Sequence, residues 1–240
     1  MKNLLDIVID GSGGLDRWKQ YSTMSATQVT GGVLWPMKGV AGILDKVNIS
    51  IDLNEQWTSH APFQNANYYS SVKANRVAIE TNGGEVIEEL IDPRLSFQGQ
   101  TLESQYSKLQ LAYVAGYSIW TYLTAPFSFT EPGYETREIE PWEENGETWR
   151  RLKVKYPAHI ATHCAEQVFY IDSNGLIKRH DYDVEVSGNA PVVQYVYGHR
   201  EINGIVVATE RKVYVRQDDN TPLLPDPLLI SIDLSEIKFS

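Results

Sequence analysis

The dipeptide Asn-Gly occurs four times in this chain, at Asn82-Gly83, Asn145-Gly146, Asn174-Gly175 and Asn203-Gly204. Both residues tolerate positive φ, which the two-residue turn of a β-hairpin demands. Each pair stands between runs rich in valine, isoleucine, threonine and aromatic residues. A chain punctuated in this way is expected to be mainly β, an antiparallel meander. Residues 47–53 alternate apolar and polar, the period of a half-buried strand.

The turns also set registers. A two-residue loop at Asn145-Gly146 places Trp142 opposite Trp149, Glu140 opposite Arg151 and Glu138 opposite Lys153 on an outward face, with Ile139 opposite Leu152 on the other. Aromatic and opposite-charge pairs of this kind contribute roughly 0.2–1 kcal/mol each. A four-residue loop at Asp172-Ser173-Asn174-Gly175 places Ile171 opposite Leu176. Gln167, Phe169, Lys178, His180, Tyr182 and Val184 then share one face, and Glu166, Arg179, Asp181, Asp183 and Glu185 share the other. The second set reads as solvated, so the first is expected to point inward.

Helix is expected at three places. Residues 4–9 are apolar at helical spacing and stop at Gly11-Ser12-Gly13-Gly14, where glycine accepts a left-handed C-cap. A short turn around Trp18 follows. Residues 104–124 carry Leu109, Leu111, Ala112, Val114, Ala115, Ile119, Trp120 and Leu123, too wide an apolar arc for a surface helix. This segment is expected to pack into the concave side of the sheet. At 240 residues the whole chain, 1–240, is read as one domain with a core large enough to need no disulfide or metal.

Charge and composition narrow the function classes. A formal net charge of −10 without a basic stripe argues against nucleic acid as a partner. Asp6 and Asp10 interrupt the apolar start, so no secretory signal is read and a cytoplasmic protein is expected. No stretch is long and apolar enough for an integral membrane segment.

Candidate chemistry is sparse. His159 and His163 have zincin-like spacing without the glutamate, and the hairpin register separates His163 from His180 by about 13 Å. No metal and no cofactor are expected. Cys164, the single cysteine, reads as a buried inert thiol. No catalytic residue is assigned. The ligand-binding candidates are His180, Tyr182 and Gln167 on the inward face, with Tyr117 and Trp120 from the long helix. Few polar groups in an apolar concavity either complete a core hydrogen-bond network or orient a ligand. The glycine-rich apolar segment 31–44 is either a flap over that concavity or a packed connection.

Three short stretches carry a resemblance: Gly13-Gly14-Leu15-Asp16-Arg17-Trp18, the step from Asp172 through Asn174-Gly175 to Arg179, and Asn203-Gly204-Ile205-Val206-Val207-Ala208-Thr209, where Ala208 stands in place of a usual proline. With the order of elements they resemble the LolA/LppX-like superfamily of outer-membrane lipoprotein-sorting proteins and uncharacterised bacterial proteins of similar length. The resemblance implies a strongly curved antiparallel sheet or incomplete barrel covered by helices. It also implies a cavity for acyl chains and no catalysis. The function expected is a non-catalytic carrier of a hydrophobic small molecule or lipid. The alternatives are an enzyme using polar residues near His180 and an interaction module whose concavity is filled.

Overall fold

The computed structural model describes residues 2–240. The strands are β1 (Thr23–Gly31), β2 (Lys46–Asp52), β3 (Trp57–Ala61), β4 (Tyr68–Lys73), β5 (Arg76–Thr81), β6 (Val86–Ile91), β7 (Glu135–Glu144), β8 (Glu147–Lys155), β9 (Glu166–Ile171), β10 (Ile177–Val184), β11 (Ala190–Ile202), β12 (Ile205–Val215) and β13 (Ile230–Phe239). The helices are α1 (Leu4–Gly11), α2 (Leu15–Trp18), α3 (Leu34–Met37) and α4 (Lys108–Thr124).

All 13 strands form one curved antiparallel sheet that does not close. Its order is β6-β5-β4-β3-β2-β1-β13-β12-β11-β10-β9-β8-β7. Two meanders therefore meet in the middle, where the first strand pairs with the last, Met24 opposite Phe239. The connection from β6 to β7 joins the two free edges and contains α4. Ser107 and Gln110 form a capping box at the start of α4, each satisfying a backbone N–H of the other. Every α4 residue from Gln110 to Thr124 is buried, as its wide apolar arc requires. The helix presses closest on β4 at Gly116, where a Cβ would meet Val72 at 2.7 Å. Thr58 of β3 donates to the Gly116 carbonyl at the same place, 3.1 Å away.

Each Asn-Gly pair lies at a hairpin turn. At Asn145-Gly146 both residues have positive φ, 53° and 80°, and at Asn203-Gly204 both again, 53° and 81°. Trp142 faces Trp149 across the first of these turns, on the face away from α4, as the register arithmetic requires. Beyond it the pairing slips by one: Ile139, not Glu140, faces Arg151, and Glu138 faces Leu152. Pro141 lies within the slip and has no N–H to give the ladder, so a bulge forms there.

A second bulge corrects the β9–β10 register. Ile177 faces Ile171, and then His180 faces Phe169. Lys178, expected inward, instead lines an outer groove beside Arg179. The outer face is also not solvated as expected. Arg179 has no exposure and Asp181 only 3%. The guanidinium binds both Asp181 carboxylate oxygens at 2.8 Å, Glu144 at 2.7 Å and the Asn220 carbonyl at 2.6 Å, over the Tyr170 ring. The loop between β12 and β13 supplies Asn220 and, with Trp142, Trp149 and Tyr195, closes a small outer core. A buried ion pair of this kind survives because nearly every donor and acceptor is used.

Candidate functional site

The inner face of the sheet meets α4 in a buried polar network. His163 is its hub. Residues between β8 and β9 leave the sheet and turn inward, so His163 is not on a strand. Arg94 fixes that turn by donating to the carbonyls of Thr162 and His163, 2.8 and 3.2 Å away, while pairing with Glu185. The His163 ring then contacts Tyr122 Oη at 2.8 Å and Ser118 Oγ at 3.2 Å through Nε2, and Tyr117 Oη at 3.3 Å through Nδ1. It stacks on Tyr182 with ring centroids 4.1 Å apart. His180 also lies against Tyr182, at 4.6 Å, so both imidazoles flank one ring. The wide separation expected from strand rise is thus corrected, because the chain at His163 is a loop.

From this hub the hydrogen bonds run on. Tyr122 and Tyr182 share a bond of 2.6 Å. Gln194 of β11 reaches Tyr182 Oη at 3.5 Å and accepts from Arg211 of β12 at 2.9 Å. His180 Nε2 donates to Gln167 Oε1 at 2.7 Å, and Gln167 in turn donates to the Cys164 carbonyl at 2.9 Å. Burial holds the His163 pKa down at about 3, with the Arg94 charge adding to the effect. Burial likewise pushes His180 well below the ordinary imidazole range. It raises Tyr122 to about 12 and Tyr117 and Tyr182 well above the usual phenol value. At neutral pH these imidazoles and phenols are uncharged, which leaves them no strong general base. The Cys164 thiol is pushed up to about 11, chiefly by burial.

Beside the network lies a cavity of about 70 Å³. Val114, Ala115 and Ile119 of α4 form one wall, and Val192, Val213, Ile230 and Ile232 of the sheet form another. Leu34, Trp35 and Leu44 from the glycine-rich segment cover it, so that segment is the roof of the concavity. Lys38 ties the roof down: its Nζ donates to the Thr101 carbonyl at 3.0 Å and sits over the Tyr106 ring at 4.3 Å. Burial holds the Lys38 pKa down at about 8, with Glu103 opposing. Two polar atoms at this apolar cavity have no partner: the acceptor Gln28 Oε1 and the donor Trp35 Nε1.

The expected site residues are divided by the structure. Tyr182 lines the cavity, together with His163, Tyr122 and Ser118. His180 faces a separate, smaller cavity on the far side of Tyr122, and Gln167 backs His180 from within the network. Tyr117 touches His163 behind the cavity wall. Trp120 points the other way and donates to the carbonyls of Asp52 and Glu55, anchoring α4 to the β2–β3 turn. Gln28, Gln194 and Arg211 were not singled out from sequence. Arg211 had a signal: it falls in the alternate, inward row of β12 with Val207, Thr209 and Val213, all buried.

No family model matches this sequence, and no curated protein matches it. Solved structures do match in fold. A DUF1329 family protein from Desulfovibrio piger superposes with a TM-score of 0.53 at 11% identity, covering 100% of this chain and 94% of that one. A LolA superfamily protein from Nitrosomonas europaea gives 0.54 at 12% identity, covering 97% and 92%. A domain assigned to an outer membrane lipoprotein-sorting protein from Vibrio parahaemolyticus gives 0.50 at 8% identity, covering 96% and 93%. These matches overturn the expectation of a cytoplasmic protein. Its ground also fails physically. Asp6 and Asp10 belong to α1, whose Leu4 and Val8 are buried against β8 and β9, so their polarity reflects an amphipathic helix. Among the described residues no helix is long and apolar enough to cross a membrane.

Proposed function

The chain has a LolA-like fold, and from that premise we propose that it is a non-catalytic carrier of a hydrophobic small molecule or lipid. The apolar part of the ligand lies between α4 and the inner face of the sheet, under the roof formed by residues 32–45. The observation that carries this reading is the pair of unpartnered atoms at a predominantly apolar cavity, Gln28 Oε1 and Trp35 Nε1. A buried polar atom without a partner costs about 1–3 kcal/mol. A ligand hydroxyl that donates to Gln28 and accepts from Trp35 removes both penalties, while the apolar walls supply most of the affinity.

The cavity of about 70 Å³ is the closed form of this site. Ligand pockets usually hold roughly 300–1,000 Å³, so loading requires the roof to lift. The roof is suited to that, because Val33 and Met37 on its outer side are exposed and α3 is a single short turn. Native mass spectrometry of the purified protein, together with titration of an apolar fluorophore, tests the reading. The expected result is a co-purified or added apolar ligand at one per chain. Ala115→Leu and Val213→Phe narrow the cavity and are expected to weaken fluorophore binding at least tenfold while the protein still melts cooperatively. Equal binding by folded narrowed variants would overturn the proposal.

A further inference from the structure

Arg211 is 6% exposed and lies on the inner face of β12, yet no carboxylate pairs with it. Its Nη1 donates to Gln194 Oε1 at 2.9 Å and its Nη2 to the Tyr122 carbonyl at 3.0 Å, both neutral acceptors. The guanidinium sits over the Tyr122 ring at 5.1 Å. Its Nε is buried with no partner at all. Burial lowers the Arg211 pKa only to about 10, so the group stays charged at neutral pH. Arg179, on the outer face, makes the contrast plain: there the buried guanidinium holds two carboxylates.

The side chain borders the second cavity, about 40 Å³, on the far side of Tyr122 from the apolar one. His180 and Ser12 also border it, and His199, Leu176, Ile177 and Val206 form a half-buried rim. One water needs roughly 10–15 Å³ of such space, so this cavity admits a small polar group and not a chain. The C-terminal end of α1, capped at Ser12, also borders this cavity. A helix terminus offsets a charge by about 0.3–1 kcal/mol, far less than burial of an unpaired ion costs.

We propose that this cavity is an anion subsite in which Arg211 holds a carboxylate, whose oxygen accepts from the Nε–H and whose charge is balanced by the guanidinium. It is separate from the apolar cavity and does not depend on that cavity being filled. The carboxylate is either a free short-chain acid or the head of an amphiphile entering between Leu176, Ile177 and Val206.

Melting temperature, read as sodium acetate is raised at constant ionic strength, tests this for the wild type and for Arg211→Met. In anion-poor buffer Arg211→Met is expected to melt above the wild type, because it removes an unpaired buried charge. Acetate is expected to raise the wild-type midpoint saturably and to act on Arg211→Met with an apparent affinity lower by roughly tenfold or more. Arg211→Lys keeps the charge but loses the fork, and is expected to fall between them. It also serves if Arg211→Met does not fold. Parallel curves for the wild type and Arg211→Lys or Arg211→Met would overturn the site. Decanoate in place of acetate separates the sources: saturation at much lower concentration marks an amphiphile head, and equal saturation marks a free small acid.

Discussion

Three of the five histidines are buried at 4% exposure or less: His60, His163 and His180. Each has its pKa lowered by burial, His60 to about 4 and His163 to about 3. In the unfolded chain they titrate near 6.5, so below that pH the unfolded state binds more protons and stability falls as pH falls. The contribution is fully present above about pH 6.5 and is lost as pH drops towards the folded values. Going from about pH 7 to about pH 5 costs roughly 2 kcal/mol for each imidazole so held. We therefore expect urea midpoints to drop steeply across that range, and His180→Phe to flatten the drop by about one histidine's share. A pH-independent midpoint would mean that these rings are not held neutral. In the same titration fluorophore binding by His180→Phe reports whether His180 has any part in ligand binding.

At the scale of elements, α4 approaches β4 closely at Gly116. Alanine favours a helix over glycine by about 1 kcal/mol, but a Cβ at residue 116 meets three carbons of Val72 at 2.7 Å. Overpacking costs about 1–3 kcal/mol, so Gly116→Ala is expected to destabilise despite its better propensity. In a Val72→Ala background the two methyl contacts are gone while the Cβ contact stays, so the same substitution is expected to cost less there than in the wild type. A denaturation cycle over the four proteins reads that coupling, and equal costs in the two backgrounds would mean that Val72 does not oppose the added Cβ. Gly146→Ala is the comparison at a turn: the space there is open, and φ of 80° alone sets an expected loss of about 1–2 kcal/mol.

At the scale of the whole molecule, a sheet that does not close leaves β6 and β7 as edges. Free edges invite pairing with another chain unless charge, proline or bulges oppose it. Strand β7 has all three, with Glu135, Arg137, Glu138 and Glu140 preceding Pro141 and the bulge. Strand β6 carries Glu88 and Glu89 among exposed Val86, Ile87 and Ile91. Glu88→Val on β6 combined with Glu138→Val on β7 is expected to produce concentration-dependent association beyond that of the wild type in sedimentation velocity. Unchanged sedimentation would mean that the edges are protected by something other than charge.

What the sequence determined by itself was local. Asn145-Gly146 and Asn203-Gly204 select their turns through backbone φ, and the arc of apolar residues on α4 demands burial wherever that helix goes. Alternation likewise put His180 and Tyr182 on the inner face of β10, a property of neighbours two residues apart. What only the tertiary structure decided depends on segments distant in the chain. The pairing of β1 with β13 joins residues two hundred or more positions apart. The loop carrying Asn220 converts Arg179 and Asp181 from a solvated pair into a buried one. The inward turn held by Arg94 brings His163 to Tyr182. The same distance effect leaves Arg211 charged and unpaired, because whether an inward arginine finds a carboxylate depends on which elements fold over it, and its own strand does not encode that.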